Sequence, residues 1–120
     1  MSSEARAEIG RAGEDAALRL YRELGYRTIA RNWRCALGEL DLIVERAGVL
    51  VFCEVKTRTG SSFGGGFAAV TGAKQRKVRV LAEAFLSSGR VSPAAVRFDV
   101  ASAHRHAGVD VSVELFEDAF

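Results

Sequence analysis

The spacing of apolar residues predicts two helices. The first covers residues 5–24, with apolar positions four or seven residues apart, and Gly25 stands where such a helix ends. Those positions are Ile9, Ala16, Leu20 and Leu24. The second helix begins after Thr71, a suitable N-cap, and runs to about Ser88. Its apolar stripe consists of Val78, Leu81, Ala82 and Phe85.

Alternating or continuous apolar runs predict five β-strands, at residues 26–32, 39–45, 48–58, 96–101 and 109–115. A short turn at Ala47 and Gly48 makes the second and third strands an antiparallel hairpin. The run VLVFCEV predicts that the third strand is buried on both faces. Residues 60–66 (GSSFGGG) and 104–108 (HRHAG) are predicted loops.

The element order α-β-β-β-α-β-β predicts an α/β fold with a mixed β-sheet flanked by two main helices. No repeat or linker divides the chain, so we expect residues 1–120 to form one domain. The hydrophobic fraction of 48% and the charged fraction of 27% are typical of globular proteins. The first twenty residues contain no apolar run of seven residues, so we predict that they are neither a signal peptide nor a membrane span. We therefore expect a cytoplasmic protein without membrane contact.

Two acidic residues and a lysine fall on the strands of the predicted hairpin. Residues two apart in a strand share a face, so Asp41 is expected to point away from Leu40 and Leu42, and Glu54 shares a face with Lys56. Side-by-side strands bring Asp41 and Glu54 within reach of one hard cation. A carboxylate inside an apolar run needs a partner or a metal. We expect Asp41 and Glu54 to bind Mg²⁺ or Mn²⁺, with Lys56 holding an attacking water or stabilising charge on a phosphate.

A purely structural interpretation stays open at this point. In it Glu54 and Lys56 are neighbours on a salt-bridged strand face, and Asp41 pairs with an arginine. Each helix adds one polar residue beside its apolar stripe, Glu14 in the first and Gln75 in the second. A solvated helix position explains either residue alone, but together with the strand pair they favour a functional site.

The blocks GRAGEDAA, YRTIARNWRCALGELDLIV, LVFCEVKTR, AAVTGAKQRKV and VRFDV follow one another along the chain. In this order they resemble the YraN family of uncharacterised bacterial proteins, which is similar to the PD-(D/E)xK nucleases, and the resemblance runs over residues 9–120. The resemblance implies a restriction-endonuclease-like fold, with Asp41 as the first acid of the motif and Glu54 and Lys56 as its (D/E)xK part. Glu14 resembles the helical glutamate of Holliday-junction resolvases, and Gln75 the helical glutamine of RecB-type nucleases. Leu40 stands where the nominal motif has proline, a change that touches no ligand.

Basic residues indicate a nucleic-acid partner, although the net charge of +2 alone is too small to require one. Two clusters lie at the start of the second helix and near the first strand. The residues expected to contact a phosphate backbone, with DNA as the expected nucleic acid, are Arg34, Arg58, Lys74, Arg76 and Lys77. Nucleases of this superfamily often dimerise, so a homodimer is open, but no interface follows from the sequence.

Other candidate residues are expected to be structural. Cys35 and Cys53 lack CxxC spacing and are predicted to be reduced thiols. Trp33 is predicted to lie in the core, and Asp99 to make a structural hydrogen bond or ion pair. His104 and His106 lie in the predicted loop at residues 104–108, but a His-x-His pair without a third ligand nearby is a weak metal site.

The leading hypothesis is a metal-dependent nuclease that hydrolyses phosphodiester bonds in DNA, and branched and single-stranded DNA stay open as its substrates. One alternative is a non-catalytic nucleic-acid-binding module of the same fold, for which salt-dependent binding without cleavage would be diagnostic. Another is an interaction domain in a DNA-processing assembly, which recovery of protein partners would indicate.

Overall fold

The computed structural model describes residues 2–59, 70–106 and 110–120, so the predicted loop at residues 60–66 lies outside the described residues. The helices and strands are α1 Ser3–Glu23, β1 Arg27–Cys35, β2 Gly38–Arg46, β3 Val49–Thr59, α2 Gly72–Ser87, β4 Ala95–Arg105 and β5 Val111–Phe116. This is the predicted order. The side chains of Ser2 and Thr71 cap the two helices, accepting from the backbone amides of Ala5 and Lys74.

The five strands form one sheet in the order β1-β2-β3-β4-β5. Neighbouring strands are antiparallel except β3 and β4, which are parallel and are separated in the chain by α2. The hairpin of β2 and β3 is confirmed, and Ala47 and Gly48 at its turn have φ values of 50° and 81°. The α/β class with a mixed sheet and two helices is confirmed, and it is consistent with a restriction-endonuclease-like fold.

The two helices cover opposite faces of the sheet. One core lies under α1 and includes Val44, Val51 and Cys53 of the sheet, and the other lies under α2 and includes Ile43 and Phe52. Consecutive residues of β3 alternate between the two cores, as the pleat of a strand requires. The predicted burial of this strand on both faces is therefore confirmed.

The buried face of α2 is the predicted stripe, whereas the buried face of α1 differs from the prediction. Tyr21 and Ala17 are almost completely buried at its centre, with Gly13 one turn earlier on the same face. Leu24, which was predicted to belong to the apolar stripe, is 41% exposed because it is the C-cap residue beyond the last helical turn.

The fourth strand is longer than predicted and contains part of the predicted loop at residues 104–108. His104 and Arg105 pair with β3 on one side and with β5 on the other, so both belong to β4. Backbone pairing on two sides outweighs the weak strand propensity of these residues. The ring of His104 stacks on that of His106 at a centroid distance of 4.6 Å.

The residues expected to be structural are structural. Asp99 is completely buried, accepts from the hydroxyl of Tyr21 at 2.7 Å and pairs with Arg97 at 2.9 Å. Trp33 packs edge-on against Phe85, and both cysteines are free thiols. No helix of the described residues has the length and hydropathy required to cross a membrane.

A close helix-to-sheet contact generates a prediction at Gly13. A Cβ atom there would overlap the Oγ1 atom of Thr57 and lie 3.0 Å from the Cβ of Thr57 and 3.1 Å from that of Ala103, so the Thr57 side chain or α1 itself would have to move. We expect Gly13→Ala to lower the free energy of unfolding by about 1 to 3 kcal/mol. Gly10→Ala is the matched control, because a Cβ there meets nothing within 4 Å and alanine should add about 0.5 to 1 kcal/mol. Urea unfolding measures both, and equal effects of the two variants would contradict the close contact.

Candidate functional site

The sheet opens between β2 and β3, and the candidate site lies at this opening. Pairing of the two strands ends at Leu42 and Cys53, although β2 begins four residues earlier and β3 continues to Thr59. The outer pairings, β1 with β2 and β3 with β4, continue past this point. Asp41 and Glu54 are the first residues beyond the last pair, one on each strand. We call this place the β2/β3 fork.

Asp41 accepts a hydrogen bond from a backbone amide that has no partner on the neighbouring strand at the fork. Its carboxylate Oδ2 accepts a hydrogen bond of 2.9 Å from the backbone amide of Val55. The expectation that Leu40 and Leu42 share a face is wrong, because Leu40 belongs to the core under α2 and Leu42 to the core under α1. Asp41 therefore interrupts the alternation of β2. Its carboxylate turns into the gap between the strands.

Glu54 lies on the α2 side of the same fork and is 3% exposed. Its Oε1 atom forms an ion pair of 3.0 Å with the ammonium of Lys74, in the first turn of α2. Its Oε2 atom is buried and has no hydrogen-bond partner among the described residues. A buried carboxylate oxygen without a donor is costly, so this atom marks a position where a cation fits.

Glu14 lies on the other side of the fork, where it and Asp41 line a cleft of about 310 Å³ between α1 and β3. Asn32 donates to its Oε1 atom at 3.2 Å, and Arg31 donates to the same atom at 3.4 Å. The remaining lining residues are Arg6, Ile9, Gly10, Val55, Thr57 and Thr59. Glu14, predicted as a polar residue beside the apolar stripe of the first helix, therefore lies in the same cleft as Asp41.

Asn32 is a site residue that the sequence reasoning missed. Its neighbours Arg31 and Trp33 pair with Leu42 and Leu40, which places Asn32 opposite Asp41. Its φ of 52° lies in the left-handed region, which asparagine tolerates better than most residues do. An asparagine within a predicted strand was the available signal.

The carboxylates of the fork influence one another. Burial raises the pKa of Asp41 to about 6, and the negative charge of Glu54 contributes in the same direction, against the hydrogen bond from Val55. Burial likewise raises the pKa of Glu14, where Asn32 opposes the shift and the charge of Asp41 adds to it. Asp41 is therefore the central member of three acidic side chains, and it ionises at a higher pH than an ordinary aspartate does.

The other two residues predicted to be catalytic lie on the α2 side of the sheet. Lys56 is half-buried two residues beyond Glu54, and within the described ranges neither it nor Asp41 has an ion-pair partner. The structural interpretation in which Glu54 pairs with Lys56 is therefore not what is observed, since Glu54 pairs with Lys74. Gln75 is half-buried, and its side chain donates to the carbonyl of Val70 at 3.3 Å rather than to either carboxylate.

The predicted nucleic-acid contacts fall into three groups. Arg34 is already paired with Glu39 at 2.7 Å, and Lys74 with Glu54. Arg76 and Lys77 are exposed on α2 and form no ion pair within the part of the chain that the structure describes. The Nε atom of Arg58 is buried and has no hydrogen-bond partner there. The cations available to an anionic ligand therefore lie near the start of α2.

The donor atoms suit a hard divalent cation that keeps part of its water shell. No three His, Cys, Asp or Glu side chains of the described residues come together as a metal site. Two carboxylates are nevertheless enough for Mg²⁺, which usually retains several waters and takes further oxygen ligands from a phosphate. The unpartnered oxygen of Glu54 and the carboxylate of Asp41 fit this requirement. The histidine pair is a poorer metal site by contrast. His106 already shares a hydrogen bond of 2.9 Å with Ser112, and His104, stacked on it, adds only one further imidazole.

The raised pKa of Asp41 predicts a pH-dependent effect of Asp41→Asn. In the folded protein this pKa is about 6 and its ordinary value is 3.8, so the stabilising contribution of the neutral form is lost as the pH rises through 6. In chelator at pH 8, Asp41→Asn should be about 1 to 3 kcal/mol more stable than the wild type, and the difference should vanish below pH 4. Urea unfolding across this range measures it. Glu45→Gln is the control. In the wild type the ion pair with Arg27 lowers the pKa of Glu45, so this variant should not gain stability at high pH.

A difference between Asp41→Asn and the wild type that did not change with pH would contradict this account of Asp41. The asparagine Oδ1 atom can still accept from Val55, so loss of that hydrogen bond is not expected to mask the effect.

Comparison with known proteins places the chain in a sequence family. A UPF0102 protein of Parafrankia sp. (strain EAN1pec) is 45% identical over 112 residues, which cover 93% of this chain and 95% of the relative. One of Mycolicibacterium smegmatis is 50% identical over 102 residues, covering 83% and 82%. The solved structure of SfsA from Pyrococcus furiosus in complex with Ca²⁺ aligns with a TM-score of 0.35 and 15% identity, over 85% of this chain and 58% of SfsA.

The family profile gives the same assignment as the relatives. It matches residues 13–103, which include α1 from Gly13 onward, the β2/β3 fork and α2. The chain belongs to the uncharacterised protein family UPF0102, which is the YraN family that its sequence blocks resemble.

Proposed function

We propose that this protein is a Mg²⁺- or Mn²⁺-dependent nuclease of the PD-(D/E)xK type that hydrolyses phosphodiester bonds in DNA. The observation that supports this most is the pair of acidic side chains at the β2/β3 fork, Asp41 and Glu54. Glu54 is buried with one oxygen unpartnered, and Asp41 has a pKa raised to about 6. Such an arrangement is unfavourable for the protein alone and becomes favourable with a bound cation.

In this proposal Asp41 and Glu54 hold the metal. Each presents an oxygen from a different strand, and the hydrogen bond from Val55 to Asp41 fixes the orientation of one of the two carboxylates. A bound divalent cation supplies charge that polarises the phosphate and favours ionisation of water. The fork also opens the sheet at this point, so that a phosphate can approach between β2 and β3.

Lys56 is proposed to act on the water and the phosphate. It projects from β3 on the same side as Glu54 and has no ion-pair partner among the described residues, so its ammonium is available. The oxygen of water forms a bond to phosphorus, and the bond from phosphorus to one ester oxygen breaks. The water loses a proton to solvent, and the leaving oxygen gains one. Lys56 orients the water or stabilises the negative charge that increases on the phosphate oxygens.

Glu14 and Gln75 are proposed to position other groups. Glu14 holds Asn32 opposite Asp41 and lines the cleft through which water reaches the fork. Gln75 ties the first turn of α2 to Val70 and so helps to fix the helix that carries Lys74. Arg58, Arg76 and Lys77 are proposed to contact the DNA backbone, with Arg34 contributing after release from Glu39.

The metal site predicts the behaviour of three carboxylate variants. Asp41→Asn and Glu54→Gln should abolish detectable Mn²⁺ binding by isothermal titration and lower metal-dependent DNA cleavage by at least about a hundredfold. Linear, branched and single-stranded DNA are the substrates to compare. Glu45→Gln, on β2 but paired with Arg27 outside the fork, should bind Mn²⁺ and cleave as the wild type does. Undiminished cleavage by both fork variants would exclude this site.

The nucleic-acid surface predicts salt-dependent binding. Replacing both Arg76 and Lys77 with glutamine should weaken DNA binding and make it less dependent on salt, because two phosphate contacts are lost. Fluorescence anisotropy at several NaCl concentrations measures this. Wild-type binding that requires no metal and yields no cleavage product would favour the non-catalytic binding module of the same fold.

A further inference from the structure

The ammonium of Lys74 sits on the carboxylate that the proposed metal needs. Its Nζ atom lies 3.0 Å from Oε1 of Glu54, and this is the ion pair that the structure gives to Glu54. The two partners differ in exposure, since the side chain of Glu54 is 3% exposed and that of Lys74 is 41% exposed. Glu54 cannot leave the fork without disrupting β3, whereas the head group of Lys74 can move into solvent on its flexible stem.

The position of Lys74 in α2 is itself unusual for a cation. It belongs to the first turn of the helix, where the positive end of the helix dipole disfavours positive charge, and this turn contains no acidic residue. The backbone amide of Lys74 donates to the Thr71 cap at 3.1 Å, which fixes where the side chain starts. Partial burial acts to lower the pKa of Lys74, but Glu54 and then Asp41 outweigh it and raise the pKa. The ammonium is therefore held charged by the acidic residues of the fork.

Metal binding changes this balance. A cation on the unpartnered Oε2 atom would share one carboxylate with the ammonium on Oε1. Two positive charges this close repel each other more strongly here than they would in water, because the carboxylate that they share is buried. The half-exposed ammonium is the partner that can leave.

We propose that Lys74 is a displaceable counter-ion of the metal site. Its ammonium neutralises Glu54 in the metal-free protein, competes with the divalent cation for that carboxylate, and is released on metal binding toward the phosphate of the bound substrate. This inference rests on the proposed metal-dependent function. It assigns to one lysine both a stabilising role without metal and a phosphate contact with metal.

Titration of Mn²⁺ alone, without nucleic acid, tests the competition. The wild type and Lys74→Gln are compared by isothermal titration at low ionic strength and pH 7.5. Lys74→Gln should bind Mn²⁺ about tenfold more tightly, because the metal no longer displaces an ammonium. In chelator the same variant should have a lower thermal midpoint than the wild type, since Glu54 is left buried without a partner, and saturating Mn²⁺ should restore it.

Lys77→Gln is the matched control. It makes the same change of charge one turn along α2, on an exposed side chain that forms no ion pair within the described residues. Its Mn²⁺ affinity should stay within about twofold of the wild type, which separates the contact with Glu54 from a general effect of net charge. A tenfold gain in both variants would overturn the proposal.

A second variant keeps the positive charge and does not depend on tolerance of glutamine. Lys74→Arg should bind Mn²⁺ several-fold more weakly than the wild type, because a guanidinium can engage both oxygens of Glu54 and so cover Oε2. Equal or weaker Mn²⁺ binding by Lys74→Gln, or unchanged binding by Lys74→Arg, would overturn the role of Lys74 and leave the metal site standing. Absence of Mn²⁺ binding in the wild type and in every variant would overturn the proposed function and this inference with it.

Discussion

The end of the pairing between β2 and β3 is the constraint on which the candidate site depends. Because the ladder stops at Leu42 and Cys53, the amide of Val55 has no strand partner on that side, and the carboxylate of Asp41 accepts from it. With this hydrogen bond the carboxylate of Asp41 turns into the gap, and the alternation of β2 is interrupted. Asn32, in its left-handed conformation, lies opposite Asp41 on β1. The outer strands stay paired, so the opening is confined to the boundary between β2 and β3.

The acidic side chains at this opening make the metal-free site energetically unfavourable, and they are also the groups proposed to bind the metal. Asp41 feels the charge of Glu14 on one side of the sheet and that of Glu54 on the other. Each of the three is supported by a different donor or cation: Asn32 and Arg31 for Glu14, the Val55 amide for Asp41, and Lys74 for Glu54. These partners leave one oxygen of Glu54 without a hydrogen bond and the pKa of Asp41 raised. Sites arranged for function commonly retain such unfavourable features, because a ligand rather than the fold compensates them.

Much of the fold could be predicted from periodicity, whereas the details of the fork could not. The stripe of α2 and the doubly buried β3 are regular patterns. The placement of Asp41, Glu54 and Lys56 on the predicted hairpin pointed to these residues as a site, and the family resemblance implied the same three. Period-two reasoning failed at Leu40 because it assumes an uninterrupted pleat. Lys74 was predicted to contact phosphate, but its ion pair with Glu54 depends on how α2 packs against the sheet, and residue spacing carries no information about that packing.

The most direct test of the central claim is anomalous diffraction from crystals of the wild-type protein equilibrated with Mn²⁺. The account predicts one strong anomalous peak at the β2/β3 fork, bonded to a carboxylate oxygen of Asp41 and to Oε2 of Glu54, with the ammonium of Lys74 moved away from Oε1. A fork without anomalous density at saturating Mn²⁺, or a peak confined to His104 and His106, would contradict it.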